Sequence, residues 1–578
     1  MPGPVPAAAL NRRTFLIASG TTALGAGLGI ALVPGSGDAK AVPPAAQAAL
    51  GAAAPVSPAG PVPPAAPSAA GTTLETVAAP RGSGGYRRLA DGPGWKRVTR
   101  TELAAAQSGR ADRRTTLSCF VQFTDLHLTD VQNPQRYEFL RADSAGGWRP
   151  HEALTNAGVV SLVERVNALR NGPATGTPIG FVMTTGDNTD NNSQLELEWF
   201  LTAMSGGRIT PNSGDPHRYE GVQDSGLKLY WQPDADLRDA DKALGFPRLH
   251  GYLDAAVRQV TSPGLNVPWY ATVGNHDQLF AGTFASSPFF RELATGSRKL
   301  FSLPASEAAL VNKAIRTGSD PKGARFRQAW EHHKRTARTV TPDERRAPFT
   351  RHQYIAAHLD PAYAGAGPVG HGYTQANLLT RRLYYTFRVS DDVLGISLDT
   401  TDAGGDYRGS LGTEQLQWLE RTLTAHSGET VLVFSHHPSW AMTNTVRDPA
   451  RPTEKRHGGE ELLALLGRHR NVAAWINGHS HKNKIVPHGS FWEVSTASHV
   501  DYPQLARVVE LTDNHDGTLS LHCTLVESAA PHRTDFSDLS QTGLAALYRE
   551  LSFNAPGSGS DLSGAAGDRN VELLLKKR

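Results

Sequence analysis

The chain has 578 residues, 39% hydrophobic and 20% charged, an ordinary globular balance that excludes a wholly disordered protein. Lys and Arg number 58 against 55 Asp and Glu, and the resulting net charge of +3 gives no electrostatic case for nucleic acid or an anionic membrane as partner. Two cysteines, Cys119 and Cys523, cannot build a disulfide framework and read as buried thiols inside strands.

The first element in chain order is an export signal. Asn11-Arg12-Arg13-Thr14-Phe15-Leu16 opens a weakly apolar stretch to Val33, followed by Ala39-Lys40-Ala41, a small-x-small cleavage site. The paired arginines resemble a twin-arginine signal. Residues 1–41 are therefore expected to be cleaved, leaving an exported, extracytoplasmic protein with no stable membrane insertion. Gly20, Gly25, Gly27 and Gly29 make the stretch a poor membrane span. Residues 42–80 are nearly all Ala, Pro, Gly, Val and Ser and read as a disordered linker.

A domain over residues 113–530 follows. Short apolar runs predict strands at Leu117–Thr124, Ile179–Thr185, Val267–Val273, Val393–Leu398, Thr430–Phe434 and Val472–Ile476. Helical spacing predicts helices over 154–169, 413–423 and 460–466 between them. Phe491–Thr496, Ala506–Leu511 and Thr518–Leu525 close the domain, with Asn514-His515-Asp516-Gly517 as a hairpin turn. Two insertions interrupt this rhythm, at about 205–247 and 281–380. The second is basic and partly helical; its cations are either a solvated face or a lid that attracts an anion. Residues 81–112 have no assigned structure, and the tail 531–578 is left open between packing and disorder.

Polar clusters stand at the ends of five runs: Asp125-Leu126-His127, Gly186-Asp187-Asn188-Thr189-Asp190-Asn191, Gly274-Asn275-His276-Asp277, His436-His437-Pro438 and Gly478-His479-Ser480-His481. In open α/β sheets ligands bind at the carboxyl ends of strands, so the five should converge. Carboxylate, imidazole and amide without thiolate suit Mn, Fe or Zn. Alternation along a strand would aim both members of Asp-x-His, and of His-x-His, the same way. Gly186 would allow a sharp turn into Asp187, whose two oxygens could bridge two cations about 3.5–4 Å apart.

The five motifs together, in this order, resemble the calcineurin-like metallophosphoesterase superfamily, over residues 116–525. The resemblance implies a four-layer αββα sandwich, two mixed β-sheets flanked by helices, with a binuclear metal site at strand C-terminal ends. It implies that Asp125, His127 and His481 hold one divalent ion, that Asn275, His436 and His479 hold the other, and that Asp187 bridges. His276 would contact the phosphoryl group or protonate the leaving oxygen, with Asp277 orienting it and Asn275 reaching the phosphate through its amide. Asp190 stands where purple acid phosphatases have a tyrosine ligand, so a tyrosinate centre is not expected and Asp190 becomes a supporting acid. His437 orients His436. The implied activity is hydrolysis of a small phosphomonoester or phosphodiester by a metal-activated hydroxide. The competing readings are an exported nuclease, which the near-neutral charge disfavours, and a non-catalytic, metal-stabilised cell-surface binding protein, which retention of Asn275 and His276 disfavours.

Overall fold

The computed structural model describes residues 64–557 and 560–578. The expected export signal, and most of the expected linker, lie outside the described residues. The end of that linker stretch is ordered: Thr76–Pro80 pairs antiparallel with Leu89–Pro93. Composition misjudged it because the strand draws its partners from a segment without a clear pattern of its own.

Two mixed sheets form the centre, so the α/β expectation is met. The seven-stranded sheet runs in spatial order Val98–Arg100, Val571–Lys576, Thr518–Glu527, Leu505–Asp513, Thr115–Phe123, Phe181–Thr185, Trp269–Thr272. The six-stranded sheet runs Tyr385–Ser390, Val393–Ser397, Thr430–Phe434, Val472–Asn477, Phe491–Ser495, Lys484–His488. The motif-bearing strands are mutually parallel within each sheet. Phe181–Thr185 and Val472–Asn477 are buried along their whole length, as parallel strands covered on both faces must be.

Aromatic rings join the sheets face to face. Phe120 meets Phe434 edge-on at 5.6 Å, and Phe387 meets Phe181 at 5.6 Å and Tyr270 at 4.2 Å. The helix Thr155–Leu169 and the helix Gln194–Ser205 send Val159, Val163 and Phe200 into this core. On the other side Leu419, Leu423, Leu462 and Leu466, from the helices Thr413–Ala425 and Gly459–Arg468, cover the six-stranded sheet. The result is the four-layer order.

The first insertion sets Tyr219, Tyr230, Trp231 and Phe246 against Leu544, Tyr548 and Leu551 of the tail helix Gln541–Asn554. The second contributes Phe280, Phe284, Phe290 and Phe326 to a cluster with Tyr137 and Phe139. The tail is thus part of the core, through that helix and through Val571–Lys576 inside the larger sheet. Cys119 and Cys523 are both buried and unbridged, as expected. The strand Leu505–Asp513 lies between their two strands.

Candidate metal centre

The five clusters do converge, but by a different local geometry than strand alternation. Asp125, His127, Asp187, His479 and His481 all have positive φ, between 45° and 61°. Non-glycine residues rarely adopt this region, and it costs conformational energy wherever it is held. The backbone therefore turns at each of these five positions instead of running on as a strand. Backbone bonds fix these turns: Asp125 N–H donates to the Gly186 carbonyl and His127 N–H to the Asp187 carbonyl, both at 3.0 Å. Gly186, at φ 89°, turns as expected; a side chain there would meet Gly274 N and His436 Nδ1 at 2.7 Å.

Two donor sets share Asp187. Asp125, His127 and His481 each offer one atom within 4.8 Å of the others. His481 Nε2 is 3.2 Å from Asp125 Oδ1, and His127 Nε2 is 3.6 Å from Asp187 Oδ2. In the second set Asn275 Oδ1 lies 3.0 Å from His436 Nε2 and 3.1 Å from His479 Nδ1. Asp187 Oδ2 is 3.1 Å from His436 Nε2, which ties the sets together.

Supporting groups decide which nitrogen each imidazole offers. His127 Nδ1–H donates to Asp190 Oδ1 (2.8 Å), His481 Nδ1–H to Asp501 Oδ2 (2.7 Å) and His436 Nδ1–H to the Thr185 carbonyl (2.8 Å). All three then present Nε2, whereas His479 turns Nδ1 inward. Asp190 is held in turn by Arg136 Nη1 at 2.6 Å, and Asp501 by Arg149 at 2.9 Å. Asp190 is thus a supporting acid, and the sequence reading did not identify Asp501, Arg136 or Arg149.

His437 lies close enough to His436 and His479 to complete a donor set. Its nitrogens are nevertheless committed, Nδ1 to Thr400 Oγ1 (2.7 Å) and Nε2 to the Tyr407 carbonyl (2.9 Å). Its ring packs against those of His436 and His479. His499 packs its ring against Tyr548. His217 and His250 are exposed, and His488 pairs with Glu493.

Asp277 corrects an expectation. Its Oδ1 accepts from the Thr189 amide and hydroxyl, and its Oδ2 from the amides of Gly274 and Asn188 and the Asn188 side chain. It staples the 186–190 loop to the 274–277 turn and does not orient His276. His276 Nδ1–H donates to the Asp190 carbonyl at 2.7 Å. Its Nε2 stands beside Asn275 Nδ2 under Gly282, where an added Cβ would lie 2.5 and 2.7 Å from them.

Burial dominates the electrostatics. It pushes His127 down to about 4, against its bond to Asp190, and His479 well below the usual range. Burial also opposes charge on His436, but Asp187 and Asp125 lift it to about 9. It would raise Asp125 and Asp187 as well, yet His481 and His436 respectively hold them low. Burial and the Asp187 charge push Asp277 up to about 6.

The donors fit divalent cations on a direct observation. Asp125 Oδ1, His127 Nε2, Asp187 Oδ2 and His481 Nε2 are buried polar atoms with no hydrogen-bond partner, and they face one another. Such atoms are costly unless something satisfies them.

Residues 236–483 match the calcineurin-like phosphoesterase family, a span that includes Asn275, His276, His436, His479 and His481. A probable glycerophosphodiester phosphodiesterase of Arcobacter nitrofigilis is 35% identical over 97 residues, 16% of this chain and 34% of that protein. A probable cyclic nucleotide phosphodiesterase of Moraxella catarrhalis is 29% identical over 98 residues, 17% and 33% of the two chains. The match thus spans about a third of each relative's length. A dimetal phosphatase from Danio rerio aligns with 72% of this chain and all of its own, at 12% identity and a TM-score of 0.34.

Proposed function

We propose that this chain, whose residues 236–483 match the calcineurin-like phosphoesterase family, hydrolyses phosphate esters with two divalent cations held by Asp125, His127, Asp187, Asn275, His436, His479 and His481. The observation that carries the reading is the set of four buried, unsatisfied donor atoms facing one another. Bound there, divalent cations would supply positive charge that turns water into a nucleophile at neutral pH and offsets charge on the phosphoryl oxygens.

The chain's own residues account for the rest. Asn275 keeps one amide hydrogen on the Gly282 carbonyl (3.0 Å) and has a second to offer a phosphoryl oxygen. His276, with its Nδ1 proton fixed on the Asp190 carbonyl, is set to hold a proton at Nε2 for the leaving oxygen. These groups are buried: His479 is 6% exposed, and Asp125, His127, Asp187, Asn275, His276, His436 and His481 are at most 1% exposed.

Both relatives are named as phosphodiesterases, which makes a diester the first substrate to test. Export rests on Arg12-Arg13 and the 39–41 cleavage site, and no helix among the described residues is long and apolar enough to cross a membrane. The test uses purified protein reloaded separately with Mn, Fe and Zn, assayed on bis-(p-nitrophenyl) phosphate and p-nitrophenyl phosphate. Wild type turns over at least one, and Asp187→Ala abolishes both. Equal turnover by Asp187→Ala after defined reloading, or no turnover with any metal, overturns the proposal.

A further inference from the structure

Arg291 and Arg351 of the 281–380 insertion, and Arg381 just past it, meet Arg451, from the loop after the Thr430–Phe434 strand, around a cavity of about 1010 Å³. His352 stands beside them, and Asp448 is the one acidic residue among those lining it. Pro288, Pro348 and Phe349 give the cavity an apolar wall.

Two of the four arginines are already compensated. Arg351 pairs with Asp399 at 3.3 Å and donates through Nε to Gln278 Oε1 at 3.1 Å. Arg451 pairs with Glu414 at 2.5 Å. Arg291 and Arg381 line the cavity and have no ion pair or side-chain hydrogen bond among the described residues, so no protein group offsets their charge there. Arg381 also has φ 56°, as the residue that ends the helix Gln375–Thr380. A glycine would be relaxed in that place.

The first turns of two helices, Pro288–Thr295 and Arg351–His358, form part of the same wall, and helix N-termini favour anions. Ser287, just before the first of them, has a buried hydroxyl with no hydrogen-bond partner. Gln278 joins this wall to the metal centre: it lies two residues beyond His276, and its amide donates to the Asp277 carbonyl at 3.1 Å.

We propose that this cavity is a second binding site, distinct from the metal centre, for an organic polyanion: an apolar or aromatic body carrying two or more negative charges. The volume is that of a small-molecule site. The ring or chain would lie on Pro288, Pro348 and Phe349, and the anionic groups on Arg291 and Arg381.

Naphthalene-1,3,6-trisulfonate tests this, since its sulfonates offer no ester to hydrolyse. Titrated into the metal-loaded full chain at low salt and followed by calorimetry, it should bind saturably at one site. The double variant Arg291→Glu/Arg381→Glu should weaken binding by about tenfold or more. Arg325→Glu, an exposed arginine of the same insertion outside the cavity, should keep wild-type affinity. Absence of saturable binding, undiminished affinity in the double variant, an equal loss in Arg325→Glu, or displacement by orthovanadate at the metal centre would each overturn the site.

Discussion

A methyl group added at Gly282 would lie 2.4 Å from His276 Cδ2 and 2.5 Å from its Nε2, at a φ of +59° that side chains resist. Gly282→Ala should therefore displace His276 without touching any cation donor except through the Asn275 amide. Misplacement of a reacting group by about 1 Å costs on the order of 10²-fold in rate. The expected outcome is a fall in kcat of that order with both metal ions retained by elemental analysis; loss of metal alongside rate would assign Gly282 to the cation site instead. Asp501→Asn probes the opposite arrangement. The carboxylate fixes His481 through a 2.7 Å bond and is itself held by Arg149. Removing its charge should weaken metal affinity by roughly 10–100-fold, read by chelator competition, with turnover recovered at high metal. Unchanged affinity would show that His481 needs no such anchor.

At the scale of elements, buried imidazoles away from the metal centre make stability depend on pH. His358 ends the helix Arg351–His358, enclosed by Tyr354, Tyr373 and Trp269. Burial, with the nearby His371, pushes it from 6.5 down to about 3. Above pH 6.5 it is neutral in both folded and unfolded chains, and its full contribution is present. As pH falls from 6.5 toward 3 the unfolded chain takes up a proton that the folded chain refuses, so stability drops. His358→Phe should shrink the fall in urea midpoint between pH 7 and pH 4.5; an unchanged pH dependence would mean that other groups carry it. Legibility also divides by element. The strands ending at Phe123, Thr185, Thr272, Phe434 and Asn477 were readable because each is an apolar run closed by a polar motif. The site residues were readable for the same reason, and their convergence follows from parallel strands. What could not be read was the turning backbone at Asp125 and His127, where strand alternation predicts the right neighbours for the wrong reason. Asp277 was misassigned because its partners, Asn188 and Thr189, come from a loop almost ninety residues earlier. Arg149 left no local signature at all, and Asp501 none that tied it to His481.

At the scale of the whole molecule, a strand far along the chain sits inside the larger sheet. Val571–Lys576 lies between Thr518–Glu527 and Val98–Arg100 in the larger sheet. From sequence it was only a short apolar run in an unassigned tail, because both partners are remote and one of them fell in an unpatterned segment. Yet Val571, Leu573 and Leu574 are fully buried, and Trp492 of the other sheet donates to the Leu574 carbonyl at 3.1 Å. Arg110 grips Glu572 through two bonds, at 2.6 and 2.9 Å. Each fully buried aliphatic side chain contributes about 1.5–3 kcal/mol, which for three or four of them is comparable to the whole stability of a domain. Deleting residues 571–578 also strips Val98–Arg100 of its only strand neighbour among the described residues and exposes the inner edge of Thr518–Glu527, a template for aggregation. The truncated chain should therefore fail to give soluble protein with a cooperative thermal transition. Leu573→Ala, by contrast, removes one side chain at a cost of about 2–5 kcal/mol and should remain folded with a lower midpoint. If the truncated chain melted like the intact one, Val571–Lys576 would be a dispensable cover, and the sheet would be complete at the five strands from Thr518–Glu527 to Trp269–Thr272.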